Sequence, residues 1–520
     1  MHKLKQLLPA LGIVLATVPE LCAEPLTPTH APRSQAMQTT PKREFRGAWL
    51  QTVFQSQYAS MTPEATQRYL DTLLDKLAAA GINAVIFQVR PSADAFYPSE
   101  LEPWSRFLTG RQGLAPQPEW DPLAYLIDAA HARGMELHAW LNPYRATASK
   151  GEQLASSHIY HEHPEWFVEY DGKLYFDPGL PQCRKYFRSV VSDIVSRYDV
   201  DAIHMDDYFY PYPVAGQTFP DDASFAAYRT KMGFGPNERA DWRRQNVNIL
   251  IKSIHDDIRA LKPWVRFGIS PFGIYRNQRS DPDGSLTNGL QNYDDLYADV
   301  LRWTREGWVD YLVPQLYWEQ GHKAADYDVL LAWWDAHANS TPLYIGQSIS
   351  RSLDGDRSLA RSNTHMTSKI DLTRQAANIS GNVFWYGYQI ADNEKQVADI
   401  LRRKYHAAPA LIPAYTHIDA KPPKEVKKLK ARWTPQGYEL SWRERQTRDE
   451  MQRQQYYVVY RFAQGKKVDL DRAEAIVCTT RQRSVLLPYD EGREKWTYVV
   501  TAVDRMHNES TRGKRKTVKL

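Results

Sequence analysis

From Phe45 onward, short apolar β-rich runs alternate with amphipathic helical stretches, and the alternation repeats eight times. The runs are FRGAWLQTV (45–53), INAVIFQVR (82–90), MELHAWLNPYR (135–145) and VDAIHMDDY (200–208), then VRFGISPFGIYR (265–276), DYLVPQLYW (310–318), PLYIGQSI (342–349) and GNVFWYGY (381–388). Between them lie helical patterns such as residues 65–81, where Leu70, Leu73, Leu74 and Leu77 form one stripe and Gly81 is placed to end the helix. Residues 121–134 repeat that design and end at Gly134; residues 247–263 carry a third example. A helix between every pair of strands forces the strands parallel, and eight such units predict an α/β fold, a closed (β/α)8 TIM barrel over 44–407. An open doubly wound sheet fits less well, because no glycine-rich phosphate loop follows the first strand. The span exceeds the roughly 250 residues usual for this barrel, so some βα loops must be long, notably after Pro143 and after Asp207.

Residues 408–425 are rich in proline and read as a linker; beyond them the helical patterns stop. Segments 438–442, 455–462, 484–489 and 495–504 alternate apolar and polar residues, so residues 426–520 are predicted to be a small all-β sandwich. Trp442, the Tyr457/Val459 face and YVVTAVDRMHNES make it resemble a fibronectin type III domain.

The N-terminus has Lys3 and Lys5 ahead of an apolar stretch, Leu7 to Val18, that is too short to span a bilayer. Residues 1–23 therefore read as a signal peptide. Cleavage after Ala23 gives soluble export; a lipid on Cys22 is the alternative, and Leu21 before it matches that processing poorly. Residues 24–43 read as a flexible leader. No later run is long enough for a membrane helix. The expected location is the periplasm or cell envelope.

Cys183 and Cys478 fall in different predicted domains, so no disulfide framework is expected. Residues 421–520 carry 24 Lys and Arg against 13 Asp and Glu, +11 in a chain whose total is +5, which leaves −6 for residues 1–420. Both signs are interspersed there, so this is read as a solvated surface rather than a binding face for an anionic polymer, and no nucleic-acid partner is expected. A monomer is expected.

In such a barrel, chemistry gathers at the C-terminal strand ends. AIHMDDYFYPYP (202–213) places two adjacent carboxylates there. Side chains alternate along a strand, so His204, Asp206 and Tyr208 share one face while Ile203 and Met205 take the other. The apolar face packs on helices, which turns Asp206 into the barrel mouth; Asp207 either tilts into the cleft or braces the loop. Other strand ends supply Arg90, Asn142, Tyr144, Arg145, Tyr210, Tyr275, Arg276, Gln315, Tyr317, Trp318, Glu319, Trp385 and Tyr388. Aromatic rings at these positions suit the C–H faces of sugars. Two roles fit the arginines: neutralising carboxylates of the core, or gripping an anionic substrate. His138 and His204 lack a third ligand, so neither metal nor cofactor is expected.

The stretches REFRGAWLQTV, INAVIFQVRPSADAFYPSELEPWS, ELHAWLNPYR, IHMDDYFYPYP, ISPFGIYRN and VPQLYW resemble the glycosyl-hydrolase-like family 10 of exported bacterial barrel proteins. The resemblance implies a glycoside hydrolase and, as substrate, peptidoglycan glycan strands stripped of their stem peptides. True family 10 xylanases use a glutamate at strand seven, and YIGQSI has no carboxylate there. DAIHMDD looks more like the strand-four pattern of chitinase-type barrels, in which the substrate's own 2-acetamido group attacks the anomeric carbon. The expected catalytic groups are Asp206 and Asp207, with Glu319 as second-site carboxylate. The competing class is a catalytically silent glycan-binding protein.

Overall fold

The computed structural model describes residues 40–354, 364–487, 489 and 492–520. The signal peptide, Cys22 and the leader up to residue 39 lie outside the described residues. Ten strands belong to the first region: β1 (Phe45–Leu50), β2 (Ala84–Arg90), β3 (Glu136–Leu141), β4 (Phe167–Tyr170), β5 (Lys173–Phe176), β6 (Ala202–Met205), β7 (Arg266–Ile269), β8 (Tyr311–Leu312), β9 (Leu343–Ser348) and β10 (Ile379–Trp385). Eight close a barrel in the order β1-β10-β9-β8-β7-β6-β3-β2, every neighbour parallel. The other two form a hairpin inside the long loop after β3, one of the two insertions expected. Among the described residues no helix is long and apolar enough to cross a membrane.

The helix Pro63–Ala79 shows why the outer layer forms where it does. Thr62 caps it by accepting from the Ala65 amide at 3.3 Å, Pro63 fills the first turn, and the predicted leucine stripe is buried. Gly81 follows at φ 79°, the left-handed turn that favours glycine.

Strand alternation sorts the barrel into two compartments. Ile203 and Met205 pack outward against the helices, while Ala202, Trp49, Ile86, Trp140, Tyr311 and Tyr344 fill the lumen. Tyr311 fits because its β7 neighbour is Gly268: a Cβ there would stand 1.9 Å from the tyrosine Cζ.

Below the mouth the lumen holds a hydrogen-bonded chain. The Trp49 indole donates to His204 Nε2 at 3.3 Å, His204 Nδ1 pairs with the Tyr311 hydroxyl at 3.0 Å, and that hydroxyl meets His138 Nδ1 at 2.7 Å. His138 Nε2 then pairs with Glu136 Oε2 at 3.0 Å. An indole only donates, so His204 is neutral with its proton on Nδ1, and the remaining donors follow in one direction down to Glu136. Burial also pushes the His204 pKa well below its usual value.

Seven further strands follow: β11 (Lys427–Thr434), β12 (Gly437–Arg443), β13 (Tyr456–Ala463), β14 (Ile476–Thr480), β15 (Ser484–Leu487), β16 (Lys495–Val503) and β17 (Lys514–Lys519). They make two antiparallel sheets, β11-β12-β15 and β14-β13-β16-β17, the three-plus-four arrangement of a fibronectin type III-like sandwich. Trp442 and Tyr457 meet in its core.

The proline-rich segment is not a detached tether. Leu411, Ile412 and Tyr415 are buried, and the Tyr415 hydroxyl bonds that of Tyr344 in the lumen at 2.7 Å. The sandwich follows it onto the N-terminal end of the barrel. His507 Nε2 reaches Glu136 Oε1 at 2.7 Å, and Arg266, lying 4.6 Å from the Tyr415 ring, donates to the same carboxylate oxygen. Burial alone would raise the Glu136 pKa, but the Arg266 and His507 charges hold it well below the usual range. The sandwich thus closes the floor of the barrel.

Candidate active site

At the opposite end lies a cavity of about 460 Å³, and each barrel strand, or the segment leaving it, contributes to its lining. Trp49, Gln88, Trp140, Asp206, Ser270, Gln315, Arg351 and Trp385 mark those eight contributions. The predicted strand runs are longer than the strands: β6 stops at Met205 and β8 at Leu312, so the residues beyond them become cleft loops.

Asp206 and Asp207 both line the cavity, and both are almost fully buried. Asp206 keeps the inward phase of His204. Its Oδ2 accepts from the Trp140 indole at 3.2 Å, and Asn142 Nδ2 lies 3.3 Å from Oδ1. Asp207 follows the end of the strand and accepts from the Tyr212 hydroxyl at 2.5 Å. Burial raises both pKa values; the Arg145 charge counteracts it at Asp206, whereas the neighbouring Asp206 charge adds to it at Asp207, which reaches about 7. The neighbouring charge therefore favours the protonated form at Asp207, while Arg145 favours the ionised form at Asp206.

Aromatic rings surround them. Trp385 has Trp140 at 6.0 Å and Trp49 at 6.3 Å, each near edge-on, while Tyr208 stacks on Tyr212 at 5.1 Å. Tyr317 and Trp318 face the same space, with Trp318 against Phe272 at 5.4 Å. Gln315 donates to the Ser270 carbonyl at 3.0 Å and also lines the cavity. Arg145 is fixed through the Pro91 carbonyl at 2.9 Å and lies 5.8 Å from the Tyr208 ring; it and Arg351, which follow the opposite strands β3 and β9, are the two cations of the cavity's described lining.

Several predicted residues sit elsewhere. Arg90 is buried outside the lumen: the β2–β3 register shifts between Gln88 and Arg90, and the guanidinium turns to Glu102 at 2.6 Å, the Asn142 carbonyl and the Phe187 ring. Arg276 is held by Asp294 at 2.9 Å and Asp281 at 2.5 Å. Glu319 does not line the cavity, because the chain turns away through Gly321 toward the helix Tyr327–Ala336. His204 lies one layer down, committed to the chain described above. Tyr144 is buried near Arg184 and Asp177, and Tyr210 is packed between Phe219 and Tyr297. Tyr275 bonds Asp299 at 3.0 Å and stacks on Trp333. Tyr388 donates to the Gln51 carbonyl at 2.7 Å and serves a neighbouring groove. Strand phase cannot see a bulge or a turn, and those displace most of these side chains.

Other lining residues carried a readable signal. Trp49 and Trp140 occupy inward positions of predicted strands, and Tyr212 lies in the same quoted stretch as the aspartates. Phe54 and Arg351 belong to segments that no strand phase reaches.

Residues 44–354 match the Glycosyl hydrolase-like 10 family. The chain is 40% identical over 491 residues to glycosyl hydrolase YngK of Bacillus subtilis, covering 91% of this chain and 93% of that one. It is 34% identical over 412 residues to glycosyl hydrolase DigH of Escherichia coli, covering 73% and 91%. The glycoside hydrolase domain of PgaB (BpsB) from Bordetella bronchiseptica aligns over 70% of this chain and 99% of its own, at 12% identity and a TM-score of 0.47. With the family match spanning most of the barrel and both relatives aligned over more than two thirds of the chain, this protein belongs to the Glycosyl hydrolase-like 10 family of glycoside hydrolases.

Proposed function

We propose that the enzyme hydrolyses a polymer of β-linked 2-acetamido sugars, namely peptidoglycan glycan strands lacking stem peptides, with assistance from the substrate's own acetamido group. The observation that carries this reading is the adjacent pair Asp206 and Asp207, differently hydrogen-bonded, in a cavity whose described lining holds no third carboxylate. A double displacement by an enzyme nucleophile, like an inverting reaction, sets its two carboxylates on opposite sides of the scissile bond, whereas Asp206 and Asp207 follow one another at the end of one strand. Acetamido assistance needs an acid and a carboxylate that orients the amide.

Asp207 gives its proton to the glycosidic oxygen as the C1–O bond breaks, the bonding pair staying on the departing oxygen. The acetamido carbonyl oxygen attacks C1 and closes an oxazolinium ring. Asp206, ionised, faces the amide N–H and stabilises the positive charge that develops. Water then opens the ring at C1 and returns a proton to Asp207. Arg145 and Arg351 suit the lactyl carboxylate that stem-peptide removal leaves on each muramic acid. Export to the envelope, read from the N-terminal sequence, would bring enzyme and polymer together.

Mass spectrometry of products from intact and amidase-treated sacculi tests the substrate; glycan fragments released from treated sacculi are expected. A thiazoline analogue of N-acetylglucosamine, which imitates the oxazolinium ring, should inhibit. Saccharide binding with no product from either sacculus preparation would leave a glycan-binding protein instead.

A further inference from the structure

Beside the cavity runs a groove of about 470 Å³, between the helix Pro63–Ala79 and residues 386–392. We propose that this groove is a distal saccharide subsite, taking an uncharged 2-acetamido sugar of the same chain beyond the reach of a tetrasaccharide centred on the aspartates. This rests on the reading of that cavity as a glycan site.

Continuity is the first argument. Gln51 lines both spaces, and the rings of Trp385, in the cavity, and Tyr386, in the groove, lie 4.3 Å apart, so an aromatic strip runs from one to the other. The divide is the loop after β1, which is rigidly held. Gln88 Oε1 accepts from the Thr52 and Val53 amides at 3.0 Å each, and the Tyr388 hydroxyl, 3.0 Å from that of Tyr58, donates to the Gln51 carbonyl. At its tip Phe54 stands 61% exposed with φ 61°, a left-handed conformation that a bulky side chain rarely adopts and that the surrounding bonds maintain.

Chemistry is the second argument. The groove presents Gln51, Gln55 and Gln57 together with the rings of Tyr69 and Tyr386, while the Gln389 carboxamide is taken by the Tyr386 amide at 3.3 Å and by Glu394 at 2.8 Å. A carboxamide both donates and accepts, the pairing that hydroxyl and acetamido groups require. Among the described residues the Gln51 amide makes no hydrogen bond, and the Gln55 side chain is used only by Gln57, at 2.9 Å. The charges at the rim cancel, since Lys76 and Asp392 lie 3.9 Å apart. An anion is therefore better received in the cavity beside Arg145 and Arg351, and a neutral ring in the groove.

The test is calorimetric binding of denuded-glycan tetrasaccharide and octasaccharide to full-length enzyme carrying Asp207→Asn, which keeps the chains uncleaved. The octasaccharide should bind about ten-fold tighter, the worth of one or two neutral hydrogen bonds. Adding Thr72→Trp, on the exposed groove face of the helix, or the double change Gln55→Ala/Gln57→Ala, should erase that advantage while tetrasaccharide affinity stays unchanged. Equal affinity for both lengths, or an advantage that survives both groove changes, overturns the subsite, as does equal weakening of both lengths. Failure to bind even the tetrasaccharide overturns the underlying assignment of the cavity as well.

Discussion

The indole N–H of Trp140 donates to Asp206 Oδ2 at 3.2 Å, across the β3–β6 boundary, while the next residue, Asp207, takes its hydrogen bond from Tyr212 instead. Two identical side chains, adjacent in sequence, are thereby placed in different surroundings. Asp206 has the strand's inward phase, two possible donors and the Arg145 charge; Asp207 has a phenol and the Asp206 charge against it. Like charges this close do not ionise together readily, and the environment decides which keeps the proton.

Asp206→Asn and Asp207→Asn should each lower turnover of denuded glycan by at least ~10²-fold, the usual loss when an acid or base is removed. Both keep the side-chain shape, so circular dichroism and thermal melting should match the parent. Parental turnover in either folded variant would remove that residue from the mechanism.

The pH–rate profile should fall on its alkaline side near 7, as Asp207 loses the proton it must donate. Tyr212 donates to the ionised form and so lowers the Asp207 pKa; Tyr212→Phe should move the alkaline limb upward. A limb unmoved in the variant would disconnect Asp207 from it. The same raised pKa has a stability consequence: the contribution of protonated Asp207 to folding is present below its unfolded value and is lost as pH rises through about 7.

Arg145→Met or Arg351→Met should reduce the preference for denuded glycan over chitin oligosaccharides, which lack the lactyl carboxylate, by roughly 1–3 kcal/mol for one charge-assisted hydrogen bond. Arg276→Met should leave that preference intact, because its partners are Asp281 and Asp294. Competition kinetics with the two oligosaccharides reads both outcomes, and equal preference in all variants would make the cavity arginines structural.

Deleting residues 421–520 should destabilise the barrel, since it strips His507 from Glu136 and uncovers Ile412 and Tyr415. Glu136→Ala in the full chain leaves Arg266 buried without its carboxylate and should cost about 3–5 kcal/mol in denaturant unfolding. The lowered Glu136 pKa fixes the pH dependence: its stabilisation is present above the usual carboxylate value and is lost as pH falls through the lower folded value. A truncated barrel that melts with the full chain would show the interface to be energetically idle.

Sequence periodicity by itself determined the barrel, its eight strands, the sandwich that follows and the inward phase of Asp206, because alternation and helical stripes are local consequences of what must face a core. It also drew Asn142, Arg145, Gln315, Tyr317, Trp318 and Trp385 to the mouth. Tertiary structure alone decided the rest. A register shift after Gln88 carried Arg90 out of the lumen, the turn at Gly321 withdrew Glu319, and acidic neighbours 5 and 18 residues away claimed Arg276. The proline-rich segment looked like a tether because composition records backbone stiffness; it docks because Tyr415 finds a hydroxyl partner in Tyr344, 71 residues earlier. The split between Asp206 and Asp207 likewise depends on Trp140, 66 residues before Asp206, and no local pattern encodes a donor that only folding brings within 3.2 Å.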